Sequence, residues 1–386
     1  MVSPTGSSGF PPVRITLVNS TLAMGGTERV LTTMANFWAS RGWTISIVTL
    51  DDHAPFFPLA DGVTHLPLGL AGPSEHLKAK IANSFLRLRA LRRAMQSLAP
   101  DLVISFQAGT NVDVLLATRG LHFPVVVSER CDPAVAVTNF TRRSARDVVY
   151  PWAARLIVQS ARALDDLSPR LKGRAEVIPN PVLAGSCEST NPAPPIRRPS
   201  IVALGRLIHE KGYDLLLHAM ALLGDRYPRW SLSIAGDGPL KHQLQQQAAR
   251  LGLGNHVTFL GKVAHPHAVL CQTDVFVLPS RSEGFPNALC EAMACGLPVV
   301  ATDCRLAPRE IIRHGVDGLL VEPENPQALA DGIQRLMSNE PLRARLAERA
   351  PEVLERFSLE KVMLRWDWVV HSAIKDRSGA RCLRAA

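Results

Sequence analysis

The chain has 386 residues, 46% of them apolar and 20% charged, which exceeds one ordinary hydrophobic core and suits two α/β domains of roughly 180 residues each. Its 43 Lys and Arg against 34 Asp and Glu leave a net charge of +9, and 19 basic against 13 acidic residues in the first 180 put +6 of that there, so an anionic partner is expected: nucleic acid, a diphosphate or an acidic membrane surface. An aromatic content of 5% offers few stacking platforms, which argues against nucleic acid.

The opening MVSPTGSSGFPPVRITLVNS has no basic stretch ahead of its apolar run, and ITLV is too short for a signal peptide or a membrane span. No later run reaches the roughly 18 apolar residues a span needs, so a cytoplasmic location is expected. β-Branched runs then alternate with helical patterns: VRITLVNS, TERVLTTMANFWASRG, WTISIVTL, and later DLVISF, PVVVSE and RLIVQS. That rhythm predicts a parallel sheet with helices on its faces over residues 12–180. Straight after the first strand, NSTLAMGGTERV brings Gly25 and Gly26 to a helix start. There the backbone can approach a ligand and free N–H groups favour an anion, or the pair is only a tight loop. The pattern is not G-x-G-x-x-G, which argues against a nicotinamide cofactor.

Residues 76–100 hold Lys78, Lys80, Arg87, Arg89, Arg92 and Arg93 with no acid before Asp101, while Leu77, Ile81, Phe85, Leu88 and Met95 recur at helical spacing. A basic amphipathic helix is expected. Its apolar stripe would pack on the sheet, and its basic face would meet solvent, anionic lipid headgroups or a polyprenyl diphosphate. In VSERCDP, Glu129, Arg130 and Asp132 follow a strand end; Glu129 and Arg130 are either a plain ion pair or, as preferred here, ligand-facing groups.

Residues 181–200, rich in Pro and Ser, break the rhythm and read as a linker. It resumes over 201–355 with SIVALGRL, YDLLLHAMALL, SLSIAGDG, HVTFLGKV, VFVLPS, PVVATD and GLLVEP. Two Rossmann-like domains facing a central cleft would bind ligands at the carboxyl ends of their strands. In ALGRLIHEKGYD, Gly205, Arg206 and Lys211 follow a strand; Arg206 through its planar fork and Lys211 as a point charge suit a phosphate pair, the other reading being a solvated loop. In PSRSEGFPNALCEAMACGLPVV a helix is expected to begin near Asn287, so Gly284, Phe285, Pro286, Asn287 and Ala288 form an N-terminal loop suited to a diphosphate. Glu283 stays on the loop and Glu291 lies about one turn into the helix, so each carboxylate can accept from a sugar ring on either side of a phosphate pair. The segment SLEKVMLRWDWVV, within 356–376, sets Val362, Trp366 and Val369 on one helical stripe. Seven cysteines without a C-x-x-C pair or zinc-spaced histidines read as buried reduced thiols.

The E-x7-E spacing of Glu283 and Glu291 around G-F-P-N, the Arg206 to Lys211 pair, AGDGP at 235–239, FLGKV at 259–263 and the Gly-Gly loop occur together in an order that resembles the GT-B glycosyltransferases of family 4, retaining nucleotide-sugar enzymes. The likeness spans nearly the whole chain. It implies an α/β GT-B fold whose C-terminal helix crosses back to the N-terminal domain. It implies that Glu283 holds donor-sugar hydroxyls, Glu291 the ribose hydroxyls, and Arg206 and Lys211 the diphosphate. Gly25, Gly26, Gly205 and the amides of Phe285 to Ala288 would complete the cradle, and main-chain groups of Lys262 and Val263 would read the base. The family requires no D-x-D metal motif and none is seen, so neither metal nor cofactor is expected. Many relatives carry a histidine after the strand equivalent to DLVISFQAGTN, where this chain has Phe106, Gln107 and Asn111. VSERCDP resembles a subgroup that extends lipid-linked oligosaccharides, which makes Glu129, Arg130 and Asn111 candidate acceptor contacts. The expectation is a peripheral enzyme on the inner face of the cytoplasmic membrane. It would move a hexosyl or N-acetylhexosaminyl unit from a UDP-sugar, or a GDP-sugar, to a glycan on polyprenyl diphosphate. A nucleotide-sugar 2-epimerase and a silent sugar-nucleotide-binding protein are the alternatives.

Overall fold

The structure, a computed structural model, describes residues 11–70, 77–130, 146–185 and 195–385. The chain divides into two compact units, Met1–Pro179 with Glu360–Ala386, and Asn180–Leu359.

In the first unit seven strands, β1 (Arg14–Asn19), β2 (Thr44–Thr49), β3 (Val63–Pro67), β4 (Leu102–Phe106), β5 (Val125–Ser128), β6 (Arg155–Val158) and β7 (Ala175–Val177), form one sheet in the order β3-β2-β1-β4-β5-β6-β7. Every pairing is parallel, with Leu17 of β1 set between Ile47 and Ile104. Ile15, Leu17, Val18, Ile45, Ile47, Val103 and Ile104 are all buried, as continuous apolar runs covered on both faces require. The order reverses between β1 and β4, which opens a crevice at their carboxyl ends. β3 and β7 escape the sequence reading because they are short edge strands without an apolar run, and their residues are only half-buried or exposed.

Three long helices flank this sheet: α1 (Gly26–Ser40), α2 (Leu77–Leu98) and the C-terminal helix Leu359–Ala385, with the shorter α3 (Ala108–Ala117) beside α2. The C-terminal helix belongs to this first unit. Its Val362, Trp366 and Val369 are buried, joined by Met363, Val370 and Ala373, and each large side chain removed from water contributes about 2 kcal/mol. Trp38 Nε1 donates to the fully buried Asp367 at 2.7 Å, and Arg41 reaches its other oxygen at 3.3 Å. Trp43 stacks on Trp38 at 5.6 Å and meets His371 edge-on at 5.5 Å. The helix begins at Leu359 because Phe357 and Ser358 are held elsewhere: Val182 N–H donates to Phe357 O at 2.8 Å and Val182 bridges Ser358.

α2 differs from its expected packing. The side chains facing inward are Leu91, Ala94 and Met95, whereas Phe85 is 63% and Leu86 is 53% exposed. At 100° per residue Phe85 falls about 120° away from Leu91, so a stripe drawn from Leu77 through Phe85 crosses the helix instead of following its buried face. Arg87 pairs with Asp113 at 3.0 Å, and Arg92 donates to the carbonyls of Ala117 and Arg119, at 2.9 Å each, at the end of α3. The open face therefore carries Arg89 and Arg93 beside Phe85 and Leu86. The side chains of Leu77, Lys78, Lys80 and Ile81 lie outside the described residues. No helix among the described residues is long and apolar enough to cross a membrane.

The second unit builds a six-stranded parallel sheet from β8 (Ser200–Leu204), β9 (Ser231–Ala235), β10 (Val257–Gly261), β11 (Val275–Leu278), β12 (Val299–Thr302) and β13 (Leu319–Val321), in the order β10-β9-β8-β11-β12-β13. One core layer joins it to Leu216, Leu217, Ile333 and Leu336, the other to Leu289, Met293, Ile311 and Val353. The order reverses between β8 and β11. One cysteine reading is corrected: Cys290, Cys295 and Cys304 are free thiols, but Cys271 is disulfide-bonded. Disulfide pairing cannot be deduced from cysteine spacing alone.

Candidate functional site

β8 and β11 lie side by side at the reversal of the second sheet, and both run into chemically active groups. β8 leads to Gly205, Arg206 and a 3-10 turn, His209–Lys211; β11 leads to Ser280 and Glu283. Gly212 follows the turn with φ 65°, and a Cβ there would lie 2.0 Å from Pro279 O, so only glycine lets the turn press against the end of β11. Arg281 fastens the two loops. It grips Asp214 bidentately at 2.7 and 2.6 Å, donates to His209 O at 2.9 Å, and its backbone N–H reaches Glu210 O at 2.8 Å.

The clamp brings Lys211 Nζ to both oxygens of Glu283, at 2.7 and 2.8 Å. Ser280 Oγ donates to the same carboxylate at 2.6 Å, and Thr302 Oγ1 donates to Ser280 O at 2.5 Å. Glu283 is 6% exposed, so its charge is held by fixed donors in place of water. Burial, with Glu283 adding, pushes the Tyr213 phenol far above its ordinary range, and burial beside Glu283 pushes the Cys304 thiol up to about 12. Both stay neutral and form the wall of the pair. Arg206 is exposed, and its guanidinium has no ion pair among the described residues.

The helix Asn287–Ala294 has Pro286 at its N-cap, a residue whose side chain cannot accept from the first-turn amides, and a helix start of this kind suits an anion. Phe285 is buried edge-on against Phe357, 5.6 Å between ring centres, and Asn287 Oδ1 accepts from Asn180 Nδ2 at 2.8 Å. Glu291, half-buried, stands one turn in, and exposed Lys262 and half-buried Val263 follow β10. The second sheet thus gathers Arg206, Lys211, Glu283, Glu291, Lys262, Val263 and the loop Gly284 to Ala288 at the carboxyl ends of its strands.

In the first unit Gly25 has an extended backbone, φ −173°. A Cβ there would meet the carboxylate of Glu28, 2.1 Å from its position, and that side chain would have to shift. Glu28 is 7% exposed and accepts from Asn19 Nδ2 at 3.1 Å and Gln107 Nε2 at 3.5 Å. The start of α1 at Gly25 and Gly26 therefore already faces a carboxylate, which competes there with any outside anion.

Asn111, Glu129 and Arg130, the expected acceptor contacts, are all buried within the first unit. Asn111 is fully buried: it accepts from Ser105 Oγ at 2.7 Å and donates to Ser128 O at 3.2 Å and Tyr150 Oη at 3.0 Å. Tyr150 in turn donates to Glu129 through a short hydrogen bond. Burial pushes the Glu129 carboxyl up, against the pull of Tyr150 and the Arg146 charge. Arg130 is buried over the rings of Phe106 and Trp366, 4.8 and 5.9 Å from their centres, and burial pulls its guanidinium down. These side chains knit β4, β5 and the Tyr150–Trp152 turn together; a strand-end position exposes a side chain only where its neighbours leave it open. Asp132 lies outside the described residues. Ser280, Arg281, Asp214, Glu28 and Asn180 were given no role in the sequence reading, and only Ser280 and Arg281, within three residues of Glu283, carried a local hint.

Comparison with known proteins adds three findings. Residues 190–353 match the family described as Glycosyl transferases group 1, and residues 24–183 match Glycosyltransferase Family 4. The lipopolysaccharide core biosynthesis glycosyltransferase LpsE of Rhizobium meliloti is 34% identical over 78% of this chain and 96% of its own length. An undecaprenol-linked GalNAc α-1,4-N-acetyl-D-galactosaminyltransferase of Campylobacter jejuni is 28% identical over 92% of this chain and 97% of its own. In fold, the chain is similar to HepE of Anabaena, solved with UDP and glucose, at a TM-score of 0.76 and 22% identity, covering 93% of this chain and 100% of that one.

Proposed function

The chain belongs to the GT-B glycosyltransferases of family 4, and on that premise we propose that it moves a hexosyl or N-acetylhexosaminyl unit from a nucleotide diphosphate sugar to a lipid-linked or polysaccharide-precursor glycan, with retention of configuration. The observation that carries this reading is the Lys211–Glu283 pair at the β8/β11 reversal with exposed Arg206 beside it. When the bond from the sugar carbon to the diphosphate breaks, negative charge grows on the departing phosphate, and fixed cations there lower the barrier most. Arg206 and Lys211 supply them. Glu283, pinned by Lys211 and Ser280, presents its carboxylate to donor-sugar hydroxyls. Glu291 takes the ribose hydroxyls, the amides of Gly284 to Ala288 with Gly205 take the diphosphate, and main-chain groups of Lys262 and Val263 read the base.

A UDP-sugar is favoured over a GDP-sugar because the similar Anabaena protein was solved with UDP, and a polyprenyl diphosphate carrier because the Campylobacter relative acts on one. A lipid-borne acceptor calls for a membrane surface, and the open face of α2 suits its anionic inner leaflet: Phe85 and Leu86 for the acyl boundary, Arg89 and Arg93 for the headgroups. The test is incubation with UDP- and GDP-sugars, with and without polyprenyl-diphosphate-linked glycans. Acceptor-dependent release of nucleoside diphosphate supports transfer; epimerised free sugar from donor alone would establish the epimerase instead.

A further inference from the structure

The open face of α2 does not end with that helix. Arg87 pairs with Asp113 of α3 at 3.0 Å, and Arg92 donates to the carbonyls of Ala117 and Arg119 at 2.9 Å each, so α2 and the end of α3 share one surface. α3 packs in turn on the Tyr150–Trp152 turn, and the Arg119 guanidinium lies 4.3 Å over the centre of the Trp152 ring. Along this line Leu116, Trp152 and, one helical turn before it, Val148 are exposed to water, as Phe85 and Leu86 are on α2.

Large apolar side chains open to water on three neighbouring elements mark a contact surface, and the charges among them choose the partner. Arg89, Arg93 and Arg119 are exposed. The carboxylates carried by the same elements, Asp113 and Asp147, are paired with Arg87 and Arg146. A face of net positive charge with apolar side chains between its cations is complementary to anionic headgroups above an acyl layer. Tryptophan adds a depth to this match, because its ring settles at the headgroup boundary, and a guanidinium over the ring keeps a positive charge at the same level. Of the six tryptophans, Trp38, Trp43, Trp230 and Trp366 are buried, which leaves Trp152, 38% exposed, and Trp368 of the C-terminal helix, 53% exposed.

Extending the membrane part of the functional reading, we propose that α2, the end of α3 and the Tyr150–Trp152 turn form one interfacial surface for anionic lipid, with Trp152 as its anchor. Arg119 holds the indole at headgroup depth, and Leu116 and Val148 enter the acyl boundary beside it. These residues belong to the first unit and the donor-loop residues to the second, so losing the anchor lowers attachment and leaves the chemistry of transfer in place.

The experiment is quenching of the tryptophan fluorescence of the full chain, in low salt, by phosphatidylglycerol vesicles with brominated acyl chains, with brominated phosphatidylcholine vesicles as the comparison. Wild type and Trp368→Phe are expected to lose the same signal on the anionic vesicles, Trp152→Phe to escape most of that loss, and the neutral vesicles to quench little. Trp152→Ser is expected to bind anionic vesicles about tenfold more weakly, the effect of one aromatic side chain withdrawn from the interface. Its melting midpoint and its transfer to a detergent-dispersed acceptor should match wild type. Quenching that survives Trp152→Phe or disappears in Trp368→Phe, wild-type vesicle binding by Trp152→Ser, or equal binding to neutral vesicles would overturn the proposal. A lipid-free dimer that Trp152→Ser dissociates would overturn it too, giving the face to a second copy of the chain. A wild-type chain that is quenched as expected but transfers no sugar to the detergent-dispersed acceptor would overturn the transferase reading and leave the lipid surface standing.

Discussion

Replacing Lys211 by Met separates what the ion pair does for the fold from what it does for the reaction. The ammonium makes two contacts to Glu283, at 2.7 and 2.8 Å, and the variant leaves that carboxylate, 5% exposed, with Ser280 as its partner. Hydrogen bonds to charged groups contribute about 1.5–3 kcal/mol; water reaching the site vacated by a side chain that was 26% exposed recovers part of this, so the net loss is roughly 2 kcal/mol. For a unit of roughly 180 residues that lowers the melting midpoint by about 4–8 °C. Turnover should fall further, about 100- to 1,000-fold, because a cation facing developing charge is lost. The decisive variant is Lys211→Met with Glu283→Gln. Glutamine keeps an acceptor for Ser280 and leaves no unpaired charge, so calorimetry should find the midpoint within about 2 °C of wild type, while a nucleoside-diphosphate release assay stays silent. Recovered turnover in the double variant would show that Lys211 serves only to neutralise Glu283. Near-normal turnover in Lys211→Met alone would remove its role at the leaving group.

Arg206→Ala should cut turnover by orders of magnitude with an unchanged melting midpoint, since the side chain is exposed; an assay and a melt on one preparation check both. Burial raises the Glu129 carboxyl above its unfolded value. Stability linked to it is therefore full below the ordinary carboxylate range and is lost as pH rises through the raised value. Glu129→Gln removes that cost, and its midpoint at pH 8 should equal or exceed wild type with transfer retained; lost transfer in a folded variant would restore Glu129 to the acceptor site. Arg89→Glu with Arg93→Glu should abolish sedimentation with anionic vesicles in low salt, whereas unchanged sedimentation would remove α2 as the membrane face. Arg92 is left intact there because it holds the end of α3.

The strand and helix rhythm was legible because parallel strands buried on both faces read as apolar runs, and β4, β5, β8, β11 and β12, buried along their whole length, are such runs. β3 and β7, at the edges, bury too little to carry that signal. Glu283, Lys211 and Arg206 were legible through spacing and order, but their assembly was not: Arg281, Asp214, Ser280 and Thr302 bring the pair together across as many as 72 positions of sequence. α2 and the Glu129 network show the opposite limit. A helical stripe and a strand-end position restrict where a side chain points, and the neighbours decide whether it is covered. Phe85 was expected inside and lies outside, while Asn111 and Glu129 were expected at a ligand and are satisfied by Ser105, Ser128 and Tyr150.

The central claim is transfer of a sugar from a nucleotide to a lipid-borne glycan, and the most direct measurement follows the label. With a donor carrying a radiolabelled sugar and an acceptor on polyprenyl diphosphate in anionic vesicles, label should enter the lipid-extractable glycan in step with release of nucleoside diphosphate, joined with the donor's anomeric configuration by NMR. Label that stays with the nucleotide across both UDP- and GDP-sugars, or appears as free sugar whether or not acceptor is present, would contradict it.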